Sequence, residues 1–307
     1  MTAAQNHRDF IAIAAGAVLA VIALTTPALA ADPDWNQVGQ ALGKSGAVQS
    51  GGIYRVGFPR TDLKVSVDGV AIRPGFALGG WIAFQPMGEQ AMVMGDLVLT
   101  QDEITPVMRK LTEGGIEISA VHNHLLRAEP MTLYMHVQGH GDPVKLASAI
   151  HAGLALSKTP FSPPPGTSQP GNIDMVGVDA IMGYRGQDSG GIYQFGIPRA
   201  KPVTEQGMAL PGAMGSAIAI NFQPTGSDTA AITGDFVLLA DEVNPVIKAL
   251  QAAGIEITAL HSHMLAEQPR VFFMHFWAND NTLKLAKGLR AALDHVDAKR
   301  EEAKAPR

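Results

Sequence analysis

The sequence predicts an α+β fold in which one mixed strand-and-helix unit is written twice in tandem and packs against itself as an internal pseudo-dimer. Three observations carry this. Short motifs recur in one order at nearly one offset, a proline-rich stretch separates the two runs, and strand-like and helix-like segments do not alternate strictly, which argues against a purely parallel sheet. Ser50-Gly51-Gly52-Ile53-Tyr54 returns as Ser189-Gly190-Gly191-Ile192-Tyr193, an offset of 139 (189 less 50). Pro59-Arg60 returns as Pro198-Arg199, Phe84-Gln85-Pro86 as Phe222-Gln223-Pro224, and Gly95-Asp96 as Gly234-Asp235. Gly115-Ile116-Glu117-Ile118 returns as Gly254-Ile255-Glu256-Ile257, and His122-x-His124 as His261-x-His263. Met135-His136 returns as Met274-His275. The period is longer than the ~20–50 residues of solenoid repeats, so a domain or half-domain has been duplicated.

Within the first copy, Ile53 to Phe58 and Lys64 to Ile72 read as strands, the second broken by an Asp68-Gly69 turn signal. Trp81 to Gln85 and Ala91 to Leu99 follow as strands. Asp102 to Glu113 reads as a helix opened by a Thr100-x-x-Glu103 capping pattern and stopped at Gly114-Gly115. Ile116 to His124 and Met131 to Gln138 suggest a hairpin, and Asp142-Pro143 opens a last helix to about Leu156. The second copy keeps this order. The expected boundaries are a leader at 1–30, a first unit at 31–156, a linker at 157–172, a second unit at 173–296 and a charged tail at 297–307. The linker holds Pro160, Pro163, Pro164, Pro165 and Pro170 and should be stiff and extended.

The leader has Arg8 ahead of an apolar stretch from Phe10 to Leu24 and an Ala28-Leu29-Ala30 site. That is the pattern of a cleaved secretory signal, and the apolar run is shorter than the ~20 residues of a spanning helix. Export to the periplasm or outside is therefore expected, with Ala31 first in the mature chain and no stable membrane anchor. The formal net charge of -5 offers no basic surface for phosphates, which sets nucleic acid aside as a partner. With no cysteine in the chain, disulfides, thiolate ligands and a cysteine nucleophile are excluded. A metal would need His, Asp or Glu.

Six of the ten histidines are kept in both copies: His122 with His261, His124 with His263, His136 with His275. A His-x-His on a strand puts both rings on one face. The next strand brings a third ring near, and three imidazoles are a usual ligand set for zinc or a similar divalent ion. The spacing suggests one site from His122, His124 and His136 and a second from His261, His263 and His275. Asp96, Glu129, Asp235 and Glu267 are the candidates to support them from behind. The register of the hairpin is open, because a one-residue slip would turn His136 away from His122. The competing readings make the same histidines hydrogen-bonded members of a half-buried sheet, or part of a surface binding face. Glu103 and Glu242 read as helix-start residues, and Arg60 and Arg199 as exposed loop residues, with anion binding as the alternative. A resemblance to the first metal motif of cupins fails on spacing, one residue too long from Gly115 to His122.

The segments Phe84-Gln85-Pro86, Gly95-Asp96-Leu97-Val98-Leu99, Glu103 to Val107, Ala120-Val121-His122-Asn123-His124 and Met135-His136 together resemble the LppY/LpqO family of exported, largely uncharacterised bacterial proteins. The resemblance spans nearly the whole chain after the leader. It implies export but no activity, and the lipid anchor of the family's namesakes does not carry over to a chain without cysteine. Two function classes are expected. One is a metal-dependent envelope enzyme such as a hydrolase, using the histidines as ligands. The other is a non-catalytic envelope protein that binds a small ligand, a metal or an envelope partner between the repeats.

Overall fold

The computed structural model describes residues 32–162 and 173–300, together with Met1. The leader and its cleavage site, most of the linker and the end of the tail lie outside the described residues. The first repeat opens with α1 (Trp35–Leu42). Asp34 caps it by accepting from the Asn36 amide at 3.0 Å, and Gly43 ends it with a left-handed φ of 77°. Then come β1 (Ala47–Val48), β2 (Tyr54–Pro59), the small hairpin β3 (Val65–Val67) and β4 (Val70–Ile72), and the one-turn helix α2 (Pro74–Ala77). Asp68 and Gly69 both take positive φ in the hairpin turn, as an Asp-Gly pair allows. The long strands β5 (Gly79–Met87) and β6 (Gln90–Thr100) lead into α3 (Gln101–Glu113). β7 (Glu117–His122), β8 (Thr132–Gly141) and α4 (Pro143–Leu154) complete the unit.

The second repeat runs α5 (Met175–Met182), β9 (Gln187–Ser189), β10 (Ile192–Ile197), β11 (Thr204–Glu205), β12 (Met208–Ala209), β13 (Ile218–Pro224), β14 (Thr229–Leu238), α6 (Ala240–Ala252), β15 (Glu256–His261), β16 (Phe272–Asn281) and α7 (Thr282–Leu293). Each repeat forms a six-stranded antiparallel sheet. The orders are β1-β2-β5-β6-β8-β7 and β15-β16-β14-β13-β10-β9, the same topology twice. Among the described residues no helix is long and apolar enough to cross a membrane.

Strand alternation decides which face of each sheet does what. In the first sheet Val56, Phe58, Ile82, Phe84, Val93, Leu97, Leu99, Met135 and Val137 turn to one side. There they pack with Leu111 of α3 and Ile150 of α4. Each of these large apolar side chains contributes about 1.5–3 kcal/mol by leaving water. The opposite face carries Ala83, Met92 and Met94, which join the apolar cluster of the second repeat. Val98 and Tyr134 on that face pack with Ile192, Ala231 and Trp277. The two sheets thus meet face to face, with helices on the outside. Residues 31–307 form one compact unit, which is the internal pseudo-dimer.

Polar contacts hold the two sheets in register. Arg127 bridges Asp68 and Glu256, its Nη2 lying 2.7 Å from Glu256 Oε2. Trp277 Nε1 donates to Asp68 Oδ2 at 3.0 Å, and Gln223 Nε2 to the Ala71 carbonyl at 2.8 Å. Thr258 Oγ1 donates to the His124 carbonyl at 2.5 Å.

The expectation that Arg60 and Arg199 are exposed is corrected by their burial, at 0% and 7% exposure. Arg60 Nη1 lies 2.7 Å from Glu103 Oε2 and also donates to the Val98 carbonyl at 2.8 Å. Arg199 repeats the arrangement with Glu242 at 2.7 Å and the Val237 carbonyl at 2.7 Å. Each glutamate does cap its helix, accepting from the Thr100 or Leu239 amide. Each also takes the amide that follows the last helix of its repeat, Lys158 or Asp297, at 2.8 Å. One carboxylate therefore ties a strand, a helix start and the end of the repeat together. A sequence pattern shows the proline and arginine but not the partner about forty residues on.

Candidate metal centre

The centre is built where the inner faces of the two sheets meet. On β6, Asp96 lies opposite Trp81 on one side and His136 on the other. Ala120 of β7 lies opposite His136, and His122 opposite Tyr134. All point inward. This alignment depends on a bulge: Ile118 pairs with Val137, yet Ala120 pairs with His136, so Ser119 is the extra residue. Continued without the bulge, the first pairing would set His122 opposite Leu133 and turn its ring toward the other face. The second repeat has the same irregularity between Ile257 and Ala259, which sets Ala259 opposite His275 and His261 opposite Phe273.

Both sets of three histidines arrive at one place. The sequence suggested two sites, one per repeat; the fold merges them into a single cluster about the pseudo-twofold axis. His122 and His261 stack across the axis with ring centroids 3.5 Å apart. His124 stacks on His275 at 3.8 Å and His136 on His263 at 3.7 Å. Asp96 Oδ2 lies 3.8 Å from His124 Nε2, and Asp96 Oδ1 lies 3.9 Å from His136 Nε2. Asp235 stands in the same relation to His263 at 3.6 Å and His275 at 3.9 Å. Tyr134 backs His124 at 3.3 Å between ring centroids, and Phe273 backs His263 at 3.5 Å. Next to Asp235, Gly234 lets β14 lie close on β13, since a Cβ there would sit 2.0 Å from the Ala219 carbonyl oxygen.

Of the other two carboxylates singled out from sequence, neither joins the cluster. Glu129 is exposed and bridges β3 through its backbone, trading hydrogen bonds with Ser66 at 2.9 Å. Glu267 is buried, but it faces Arg270 at 3.4 Å and accepts from the Val271 amide at 3.2 Å. The bridges Ser66 to Glu129 and Thr204 to Gln268 show why their spacing disagreed. Glu129 corresponds to Gln268, and Glu267 to Ala128.

The electrostatics suit metal donors. Burial lowers every imidazole of the cluster, His122 to about 4 and His261 to about 3, and the other four fall well below the usual value. The rings are therefore neutral at physiological pH. His275 Nδ1 sits 2.8 Å from the Gly234 carbonyl, and the Gly95 carbonyl plays the same part for His136. A proton held on Nδ1 leaves the Nε2 lone pair facing inward. Burial likewise raises Asp96 to about 7 and Asp235 well above its ordinary value. The Nε2 atoms of all six histidines and one oxygen each of Asp96 and Asp235 are buried without a hydrogen-bond partner in the protein. Each such group costs about 1–3 kcal/mol. A divalent cation at their centre would offset that cost and favour the ionised carboxylates. Among the described residues, donor atoms within 4.8 Å of one another form three groups: His122, His124 and His136; Asp235, His263 and His275; and His122, His261 and His275. The first two share no residue.

One side of the cluster opens into a cavity of about 700 Å³. Asp96, His124, His136, Asp235, His263 and His275 form its wall, facing Arg55, Arg185, Gln194 and Asn221. Sequence reasoning did not single out Arg55. The signal that could have found it is a difference between the copies, since Gln194 holds its place in the second.

A family model described as Domain of Unknown Function (DUF1259) matches residues 36–156 and again residues 176–295. No curated protein matches. Among solved structures, the trimeric bacterial microcompartment shell protein PduB matches with 13% identity over 82% of this chain and 90% of that chain, at a TM-score of 0.21. EtuB from Clostridium kluyveri matches with 9% identity over 82% and 90%, at a TM-score of 0.19. Likenesses at these scores carry no argument.

Proposed function

The chain belongs to the family described as Domain of Unknown Function (DUF1259), whose description assigns no activity, and from that premise we propose that it is an exported, metal-dependent envelope hydrolase. Its six histidines would bind zinc or a similar divalent ion, and a small substrate would sit in the adjoining cavity. The observation that carries this reading is the set of inward, partnerless Nε2 atoms beside two buried carboxyls. Neutral imidazole suits zinc, copper, nickel and iron. Donor groups drawn from one repeat and from both meet through His122, so the ligands would act as one centre. When bound, such an ion lowers the pKa of a coordinated water toward ~7 and so supplies a nucleophile at neutral pH. Asp96 and Asp235, each within 3.6–3.9 Å of two Nε2 atoms, would ligate the ion beside the imidazoles or take up a proton. Tyr134 and Phe273 keep the rings stacked and exclude water behind them.

The second reading is a non-catalytic protein that binds a metal, a small ligand or an envelope partner between the repeats. The burial of the rings favours it, since they are packed as tightly as a storage or structural site would need. One experiment separates the two. Protein beginning at Ala31 and carrying no histidine tag is assayed for metal content, titrated with zinc by calorimetry, and tested on nitrophenyl esters and phosphates. The hydrolase reading expects bound metal and metal-dependent turnover. Zinc bound with no turnover on any ester supports the binding protein. No bound metal and no heat of zinc binding would sink both metal readings.

Export belongs to the same proposal. It rests on the apolar stretch from Phe10 to Leu24 and the Ala28-Leu29-Ala30 site, and on the resemblance to the exported LppY/LpqO proteins. The intact mass of protein recovered from the cell envelope should correspond to a chain starting at Ala31. A mass that retains Met1 would remove the cleaved leader from the proposal.

A further inference from the structure

We propose that the cavity beside the centre is an anion pocket and that the substrate is a small organic phosphate gripped by Arg55; this rests on the metal-dependent reading above. The argument begins with how the two repeats differ around a centre they share. The histidines and aspartates obey the pseudo-twofold axis, but the cavity does not. In the first sheet the inward positions next to Asp96 are Arg55, Trp81, Ala83 and Met94. The matching positions of the second sheet are Gln194, Ala219, Asn221 and Thr233. Trp81 fills its side, its ring lying against Gly215, where a Cβ would come within 3.1 Å. Ala219 leaves the corresponding space open, and Asn221 and Thr233 make its wall polar where the first repeat has Ala83 and Met94. The cavity is the result, and its size falls in the range of small-ligand pockets, ~300–1,000 Å³.

Arg55 supplies the charge. Its guanidinium carbon lies 4.0 Å from the centroid of the Trp81 ring, and its Nη1 donates to the Ala213 carbonyl. Stacking and that one bond fix the plane of the fork, which carries five N–H donors in all. The carboxyl that acts on it electrostatically is Asp96, whose oxygens lie closer to the His124 and His136 rings, at 3.8 and 3.9 Å. A fixed guanidinium in a partly closed cavity, not paired with a carboxylate among the described residues, matches the geometry of a phosphoryl oxygen pair. Arg185 lines the same cavity and adds a second positive charge. Arg55 and Asp96 line the same cavity, so a phosphate seated on Arg55 would lie beside the centre.

The test uses the full chain from Ala31 in three forms: wild type, Arg55→Gln, and Arg109→Gln as an exposed control on α3. Gln already occupies the matching place in the second repeat, so Arg55→Gln is a side chain this fold accommodates. Inorganic phosphate is titrated by calorimetry into zinc-loaded and metal-free protein, and zinc affinity is measured in parallel. The expected result is phosphate binding at least about tenfold weaker in Arg55→Gln, about 1.4 kcal/mol, with zinc affinity unchanged and Arg109→Gln behaving as wild type. Equal phosphate affinity in wild type and Arg55→Gln overturns the proposal. So does a parallel fall in zinc affinity, which would place the effect at the centre, and so does tighter binding of acetate than of phosphate. If zinc fails to bind but phosphate still depends on Arg55, the anion pocket stands and the metal reading falls.

Discussion

His122→Ala and His261→Ala are each expected to lower zinc affinity by at least about a hundredfold, and the double variant to lose little more than either alone. Loss of a supporting partner to a metal ligand already costs about 10–100-fold, and these rings are ligands themselves. They stack on each other at 3.5 Å across the pseudo-twofold axis, and His122 belongs to donor groups drawn from one repeat and from both. Residues that act in one network give non-additive changes, whereas independent sites add. Calorimetric titration of the four proteins decides the matter. If each single variant keeps half the zinc at wild-type affinity and the two losses add, the repeats hold separate sites and the merged centre is wrong. Thermal melts offer a second readout. Zinc at about a hundred times its Kd should stabilise the wild type by about 2.7 kcal/mol, and His122→Ala should lose most of that gain.

Arg60→Ala is expected to destabilise the protein by about 3–5 kcal/mol, the usual cost of breaking a buried ion pair and leaving one charge behind. Arg60 is fully buried and bonds Glu103, Asp62 and the Val98 carbonyl. Burial pushes the Glu103 carboxyl up, but Arg60 and the Thr100 and Lys158 amides outweigh it and hold it below its ordinary value. A depressed carboxylate contributes stability that is present above its unfolded pKa of about 4.3. That contribution is lost as pH falls through the lower value of the folded chain. Glu242 is lowered in the same way, with Arg199 and the Asp297 and Leu239 amides outweighing its burial. Acid unfolding should therefore set in below about pH 4 in the wild type, and Arg60→Ala should shift its onset upward. Urea denaturation at pH 7 checks the magnitude. A loss under about 1 kcal/mol would mean the knot behaves like a surface pair.

The duplication, the helix caps and the hairpin turn were legible in the amino-acid order because each is local. Asp34, Thr100 with Glu103, Asp142 and Asp68-Gly69 act within a few residues of themselves, where side-chain type and backbone preference suffice. The site histidines were legible for a different reason: two copies within one chain mark the residues both have kept. Their arrangement was not. Whether His122 shares a face with His136 depends on the bulge at Ser119, and no residue type in that stretch announces an extra residue in one strand. Arg60 and Arg199 looked like loop residues because their partners, Glu103 and Glu242, lie on another element and meet them only after the sheet forms.

By itself, then, the sequence determined a tandem α+β pair, the local starts and stops of its elements, and the six imidazoles and two aspartates that each copy would contribute. Only the tertiary structure decided that these groups belong to one centre rather than two. The reason is physical. Each sheet has an inner face too apolar to leave in water, with Ala83, Met92 and Met94 on the first and Ile192, Ala231 and Trp277 on the second. Burying those faces against each other brings the two polar patches together whatever their separation along the chain. The same packing also decided where the centre opens, because Trp81 fills one side of the axis and Ala219 leaves the other free for a ligand.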